Sequence, residues 1–188
     1  MTAAGSHRSL LIITHETIGP RLAGPGVRAW EIANALAARS FQVTLATPSA
    51  GLDGVPDLAI RQFAWDKPAS LRALIDAAEV VLAQGPVLAR VLREIKMPIR
   101  AQVIVDGYDI SEIEMVMLRN ATLSDRADPT PEMLDDMRLY LLQGDTFLCA
   151  SARQRDLWTG LLLSAGRLNS QTLERDPGLE HLLRIVPM

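Results

Sequence analysis

Seven short apolar runs punctuate the chain: Leu10–Thr14, Gln42–Thr47, Leu58–Phe63, Glu79–Gln84, Gln102–Val105, Thr146–Ala150 and Leu183–Val186. Most are continuous rather than alternating, the pattern of strands covered on both faces. Between most of them, apolar positions recur with a helical period. Strands alternating with helices of this length predict a parallel, doubly wound sheet with right-handed crossovers. The expected fold is α/β: a three-layer Rossmann-like domain with a parallel sheet of about seven strands.

Helix starts are marked locally. Ser111-Glu-Ile-Glu114 and Ser151-Ala-Arg-Gln154 both read as capping boxes, in which side chains at each end satisfy orphan amides of the first turn. Pro68, Pro86 and Pro131 suit first-turn positions, where a missing N–H is harmless. In the helix after Ser151, residues Leu157, Trp158, Leu161 and Leu162 fall on one face, and Gly166 is the expected stop. The segment Pro86–Lys96 sets Val87, Leu88, Val91, Leu92 and Ile95 largely opposite Arg90, Arg93 and Lys96. Three basic residues make a weak electrostatic anchor, so a solvated face is the simpler reading and peripheral contact with anionic lipid the other.

At 188 residues the chain suffices for one domain with a buried core. Residues 1–8 read as a flexible start, leaving 9–188 as the folded domain, and no run reaches membrane-spanning length. Hydrophobic residues form 48% and charged residues 22%, a globular rather than a disordered balance. A net charge of −3 argues against a nucleic-acid partner. Cys149, the one cysteine, cannot form an internal disulfide, which suits a reducing cytoplasm.

The richest segment is Ser9–Gly26, where an apolar run empties into a loop with three glycines and two prolines, followed by a helix over Val27–Arg39. Strand, glycine loop and helix together aim backbone N–H groups and the helix dipole at an anion. Gly19 and Gly24 have the outer spacing of a P-loop, but Pro25-Gly26 stands where Lys and Ser/Thr are needed, so a Walker-type NTPase is excluded. Gly24-Pro-Gly26-Val-Arg-Ala29 matches a dinucleotide fingerprint. It lies about ten residues beyond the strand, and the second strand ends Ala46-Thr-Pro48 without the ribose-binding acid. A nicotinamide or flavin cofactor is therefore not expected. What survives is a longer glycine loop in which Arg21 and Arg28 flank the glycines: either their guanidinium groups meet a phosphate or carboxylate, or the glycines only make the turn and the arginines are solvated.

The order of these features resembles the amino-terminal half of bacterial GT-B glycosyltransferases of family 4. The residues that carry it are T-H-E-x-x-G-P-R-x-A-G-P-G-V-R-A-W-E-I-A-N-A-L-A, then V-T-L-A-T-P, V-V-L-A-Q-G-P (Val80–Pro86), V-D-G-Y-D (Val105–Asp109) and F-L-C-A-S-A-R-Q-R-D-L-W (Phe147–Trp158). The closing G-R-L-N-S, D-P-G-L and I-V-P fit as well. The resemblance implies one of two Rossmann-like lobes facing a cleft, the lobe that shapes the acceptor site. The other lobe, which holds the nucleotide-sugar, is absent from this sequence, so isolated activity is expected to be slight. The implied reaction moves a sugar from a nucleotide-sugar donor to a hydroxyl of a carbohydrate or lipid-linked acceptor, with no cofactor beyond the donor. Implied partners are the missing lobe, a second copy through an exposed interdomain face, and weakly the inner membrane face.

The resemblance carries over residue by residue. Gly19, Arg21, Gly24, Gly26 and Arg28 fall on the loop that approaches the donor phosphate; His15 and Glu16 stand beside it at the first strand's end. Gln84 ends the fourth strand, and Asp106, Tyr108 and Asp109 end the fifth, where such enzymes place catalytic or acceptor-binding groups. Asp106 either orients an acceptor hydroxyl or acts as a base, or it caps a turn. His15 is either catalytic or structural. Asp109 reads as a turn or helix-start residue ahead of Ser111. Capping accounts for Ser151 and Gln154, and Arg153 stays open as a binding residue. Trp30, Trp65 and Trp158 read as core or interface residues. No His/Cys/Asp cluster has metal-ligand spacing. Two other readings stand: a non-catalytic α/β module that binds a sugar phosphate or a partner subunit, and an epimerase-like protein of the same architecture.

Overall fold

The computed structural model describes residues 9–49, 58–95, 98–110, 112–114, 117 and 130–187. Seven strands form one sheet in the order β3-β2-β1-β4-β5-β6-β7. The chain gathers into two compact units, Met1–Ala83 with Val91–Val103, and Gln84–Arg90 with Ile104–Met188.

In the first unit, β1 (Ser9–Ile13) lies parallel to β2 (Gln42–Thr47) on one side and to β4 (Val80–Gln84) on the other. Strand β3 (Leu58–Gln62) extends the sheet beyond β2, also in parallel. Leu11, Ile12, Ile13, Leu45 and Val81 are almost wholly removed from water. Such two-sided burial is why these strands read as unbroken apolar runs. Helix α1 (Gly24–Ala37) buries Ala29, Ala33 and Ala37, a small-residue stripe that allows close packing, and α2 (Pro68–Ala77) buries Leu71 and Ile75.

In the second unit, β5 (Gln102–Asp106), β6 (Thr146–Cys149) and β7 (Leu183–Ile185) are parallel, with Val105 opposite Phe147 and Phe147 opposite Leu183. Helix α3 (Gly85–Ile95) follows β4, with Gly85–Arg90 counted in this unit and Val91–Ile95 in the first; α4 (Pro131–Gln143) precedes β6, and α5 (Ala152–Ser164) and α6 (Ser170–Arg175) lie between β6 and β7. Side-chain caps fix three starts: Thr130, Ser151 and Asn169 accept from the N–H groups of Met133, Gln154 and Thr172. Gly166 ends α5 with φ 73°, and the Gly166 and Arg167 N–H groups return to the Leu163 and Leu162 carbonyls as in a Schellman motif. The core gathers around Trp158, whose ring centroid is 5.7 Å from that of Phe147 and 6.3 Å from that of Tyr140. Cys149 is buried, and that burial pushes its thiol pKa up, as for an inert core residue.

Three expectations are corrected. Helix α1 begins at Gly24, not Val27, because Pro25 is accommodated in a first turn where its missing N–H has no partner to lose. The glycine segment is thus a loop to Ala23 and a helical turn thereafter. Leu157 is exposed, whereas Trp158 and Leu162 are buried, so the buried face of α5 is narrower than its apolar content suggests. Gln154 also departs from the capping box: its Oε1 accepts from the Ala150 N–H at 2.6 Å. Ser111 and Lys96 lie outside the described residues, as do residues 1–8. Among the described residues, no helix is long and apolar enough to cross a membrane.

Candidate functional site

Each unit places its own set of the expected residues. In the first, the segment after β1 is held to the end of β2 by main-chain and threonine bonds. The Thr14 N–H donates to Ala46 O at 3.0 Å and the Ile18 N–H to Ser49 O at 3.0 Å. The buried Thr47 hydroxyl donates to the Glu16 carbonyl at 2.6 Å, and Thr14 Oγ1 accepts from the Glu16 N–H at 3.1 Å. A loop so fixed projects outward the side chains it does not need for packing. His15 is exposed, and its Nε2 lies 3.0 Å from Glu16 Oε1.

The glycines differ in purpose. A Cβ on Gly26 meets Glu16 Cβ at 3.2 Å, so bare backbone there lets α1 approach the loop. Gly19 and Gly24 face open space to at least 4 Å. The N-cap of α1, Ala23, supplies no side-chain acceptor, leaving its first-turn donors without a side-chain cap. Arg21 is exposed, whereas Arg28 is only 4% exposed and engaged within the fold.

In the second unit, the turn after β5 is built by close packing. A Cβ on Gly107 falls 2.5 Å from Trp158 Cζ2, so only glycine lets the indole pass. The Trp158 Nε1–H donates to the Gly107 carbonyl at 2.8 Å, and the Gly107 N–H donates to Leu148 O at 2.7 Å. Asp106, just before it, is 4% exposed and engaged. Next along, Gln84 Nε2 donates to the Tyr108 hydroxyl at 3.4 Å, which brings two expected residues together. Gln154 Nε2 donates to the Tyr108 carbonyl at 2.5 Å. With Oε1 on Ala150 and Nε2 on Tyr108, the Gln154 amide joins the starts of two loops. Arg153 stands exposed on the first turn of α5.

Asp109 is the electrostatic surprise. Burial, a hydrogen bond with Glu114, and the charges of Glu114 and Glu112 push its pKa up to about 6, against a lesser lowering by the Ile110 backbone. Glu112 is 5% exposed; its Oε1 accepts from the Tyr140 hydroxyl at 3.1 Å, while its Oε2 has no hydrogen-bond partner among the described residues. Desolvation and that carboxylate raise the Tyr140 hydroxyl far above its usual range, so it stays a donor. Tyr140 is positioned in turn by Gly85, where a Cβ falls 2.7 Å from the ring. Asp109 and Glu114 line an open pocket of about 530 Å³ together with Ile113, Met117, Gln154 and Leu157. Sequence reasoning missed this grouping of acids; the signal was the density of carboxylates in Asp109-Ile-Ser-Glu-Ile-Glu114.

The sequence matches no family profile and no curated protein. Among solved structures, the sucrose-phosphate synthase of Thermosynechococcus elongatus superimposes with a TM-score of 0.61 at 11% identity, over 96% of this chain and 48% of that one. The chain therefore spans about half the length of that synthase. A short-chain dehydrogenase/reductase from Veillonella parvula DSM 2008 gives a TM-score of 0.46 at 16% identity, over 77% of this chain and 69% of that one. The synthase shares the α/β Rossmann-like fold.

Proposed function

We propose that this chain is the acceptor-side lobe of a glycosyltransferase of the GT-B type, working with a nucleotide-sugar donor. The observation that carries the reading is the match of nearly the whole chain to about half of a sucrose-phosphate synthase. That protein's name describes the synthesis of a sugar phosphate, in keeping with the sugar chemistry implied by the family 4 resemblance of the loop after β1 and the turn after β5. In the complete enzyme, the uncapped first turn of α1 and the exposed Arg21 stabilise negative charge near the leaving phosphate. Arg28, being buried, supports the helix that presents them. Asp106, Gln84 and Tyr108 position the acceptor, with His15 as the second candidate for proton transfer.

Transfer from nucleotide-sugar donors is to be measured for this chain alone and for the same chain fused to a donor-binding GT-B lobe. Turnover is expected only in the fusion, and Arg21→Ala in the fusion is expected to lower it by about 10-fold or more, as for loss of a charge-stabilising donor. Robust turnover by the chain alone overturns the division of labour.

A further inference from the structure

The turn after β5 carries an arrangement that sugar transfer does not require. Asp109 and Glu114 present two carboxylates at one pocket wall, and Glu112 adds a third negative charge behind Asp109. The rest of the wall is apolar: Ile113, Met117 and Leu157 are 46%, 68% and 42% exposed, so large side chains stand in water beside the acids. We propose that this pocket binds an organic cation, a protonated amine held by Asp109 and Glu114 with its apolar body against Ile113, Met117 and Leu157.

Three observations carry the proposal. First, the ionised form of Asp109 is opposed by burial and then by the carboxylates of Glu114 and Glu112, and only the Ile110 backbone favours it. A bound ammonium supplies the missing opposite charge, which is strongest where water is partly excluded. Second, the pocket volume of about 530 Å³ is that of a small-molecule site, and its apolar share rewards a hydrocarbon body that a bare ion lacks. Third, Gln154 is fixed at both ends of its amide, by Ala150 and Tyr108, so one wall is formed before any ligand arrives. The proposal rests on this pocket alone and is independent of the transferase reading.

The test uses the intact chain and three probes of one shape: n-hexylamine, hexan-1-ol and hexanoate, titrated by protein-detected NMR. At pH 7 hexylamine is expected to bind about 10-fold or more tighter than hexanol, with shifts at Ile113, Met117 and Leu157, and hexanoate weakest. Because a proton competes for Asp109 near pH 6, amine affinity is expected to fall about 10-fold between pH 7 and pH 5, while that of hexanol stays constant. Asp109→Asn and Glu114→Gln are each expected to remove most of the amine preference while leaving hexanol binding unchanged. Both variants relieve like-charge repulsion, and a thermal melt checks that they fold. Equal affinity for amine and alcohol, an amine affinity independent of pH, or an amine preference that survives both substitutions overturns the proposal.

Discussion

The ends of β1 and β5 solve the same problem in opposite ways. After β1, the chain is held by main-chain bonds and threonine hydroxyls, and its one prominent carboxylate, Glu16, has a partner in His15. After β5, the chain is held by aromatic packing on a bare backbone, and its carboxylates crowd together. The first region is fixed by polar bonds and sets its carboxylate beside an imidazole; the second is fixed by shape and sets its carboxylates beside one another. The lesson is that position and electrostatics are set by separate residues. Trp158 and Gly107 shape the turn that carries Asp109, and burial first, then Glu114 and Glu112, set how readily it ionises.

The largest effect is expected from removing the shape that holds the second region. Trp158→Ala opens a large cavity and strips the Gly107 carbonyl of its donor, so a loss of about 4 kcal/mol is expected in urea unfolding. Gly107→Ala drives a methyl group into the indole and is expected to cost about 2 kcal/mol or more. Gly24→Ala, facing open space in the first turn of α1, is expected to lie within about 0.5 kcal/mol of the parent or to stabilise it. If the two glycine substitutions prove equally harmful, the contrast between packed and open backbone fails.

Charge gives smaller effects. The fold favours protonated Asp109, so its contribution to stability is full below the ordinary aspartate value of 3.8 and is lost as the pH rises through about 6. Asp109→Asn should therefore stabilise the protein at pH 7 by about 1 kcal/mol after allowance for solvent screening. It should also flatten the fall in melting temperature between pH 4 and pH 7. The smallest effect belongs to the first region: His15→Ala breaks an exposed pair and is expected to change stability by about 0.3 kcal/mol. A larger loss there would mean that this pair, like the indole, bears on the fold.

All seven strands were legible because two-sided burial leaves unbroken apolar runs, and their bounds agree within one residue. The Gly166 stop was legible for a similar reason, since one residue type suits a left-handed turn. The start of α1 was not, because Gly-Pro-Gly reads equally as loop and as a permissive first turn. At the site, the sequence placed Gln84 and Tyr108 only at or just past the ends of the fourth and fifth strands; their hydrogen bond emerges from the fold, which sets β4 beside β5. The approach of Asp109 to Glu114 did not. Their separation of five residues fits no helical or strand period, and it is set by the turn between β5 and the helical residues Glu112–Glu114. Gln154 was hidden differently: its sequence position declares a cap, and only the fold brings the Tyr108 carbonyl within reach.

The indole of Trp158 has a practical use. Its N–H bonds the backbone two residues before Asp109, so a disturbance of that turn should alter the colour and intensity of its emission. The chain's other tryptophans, Trp30 and Trp65, belong to the first unit. Replacing both with phenylalanine leaves Trp158 as the single tryptophan, and exciting the indole apart from Tyr108 and Tyr140 lets it report a colourless ligand at that turn without a label.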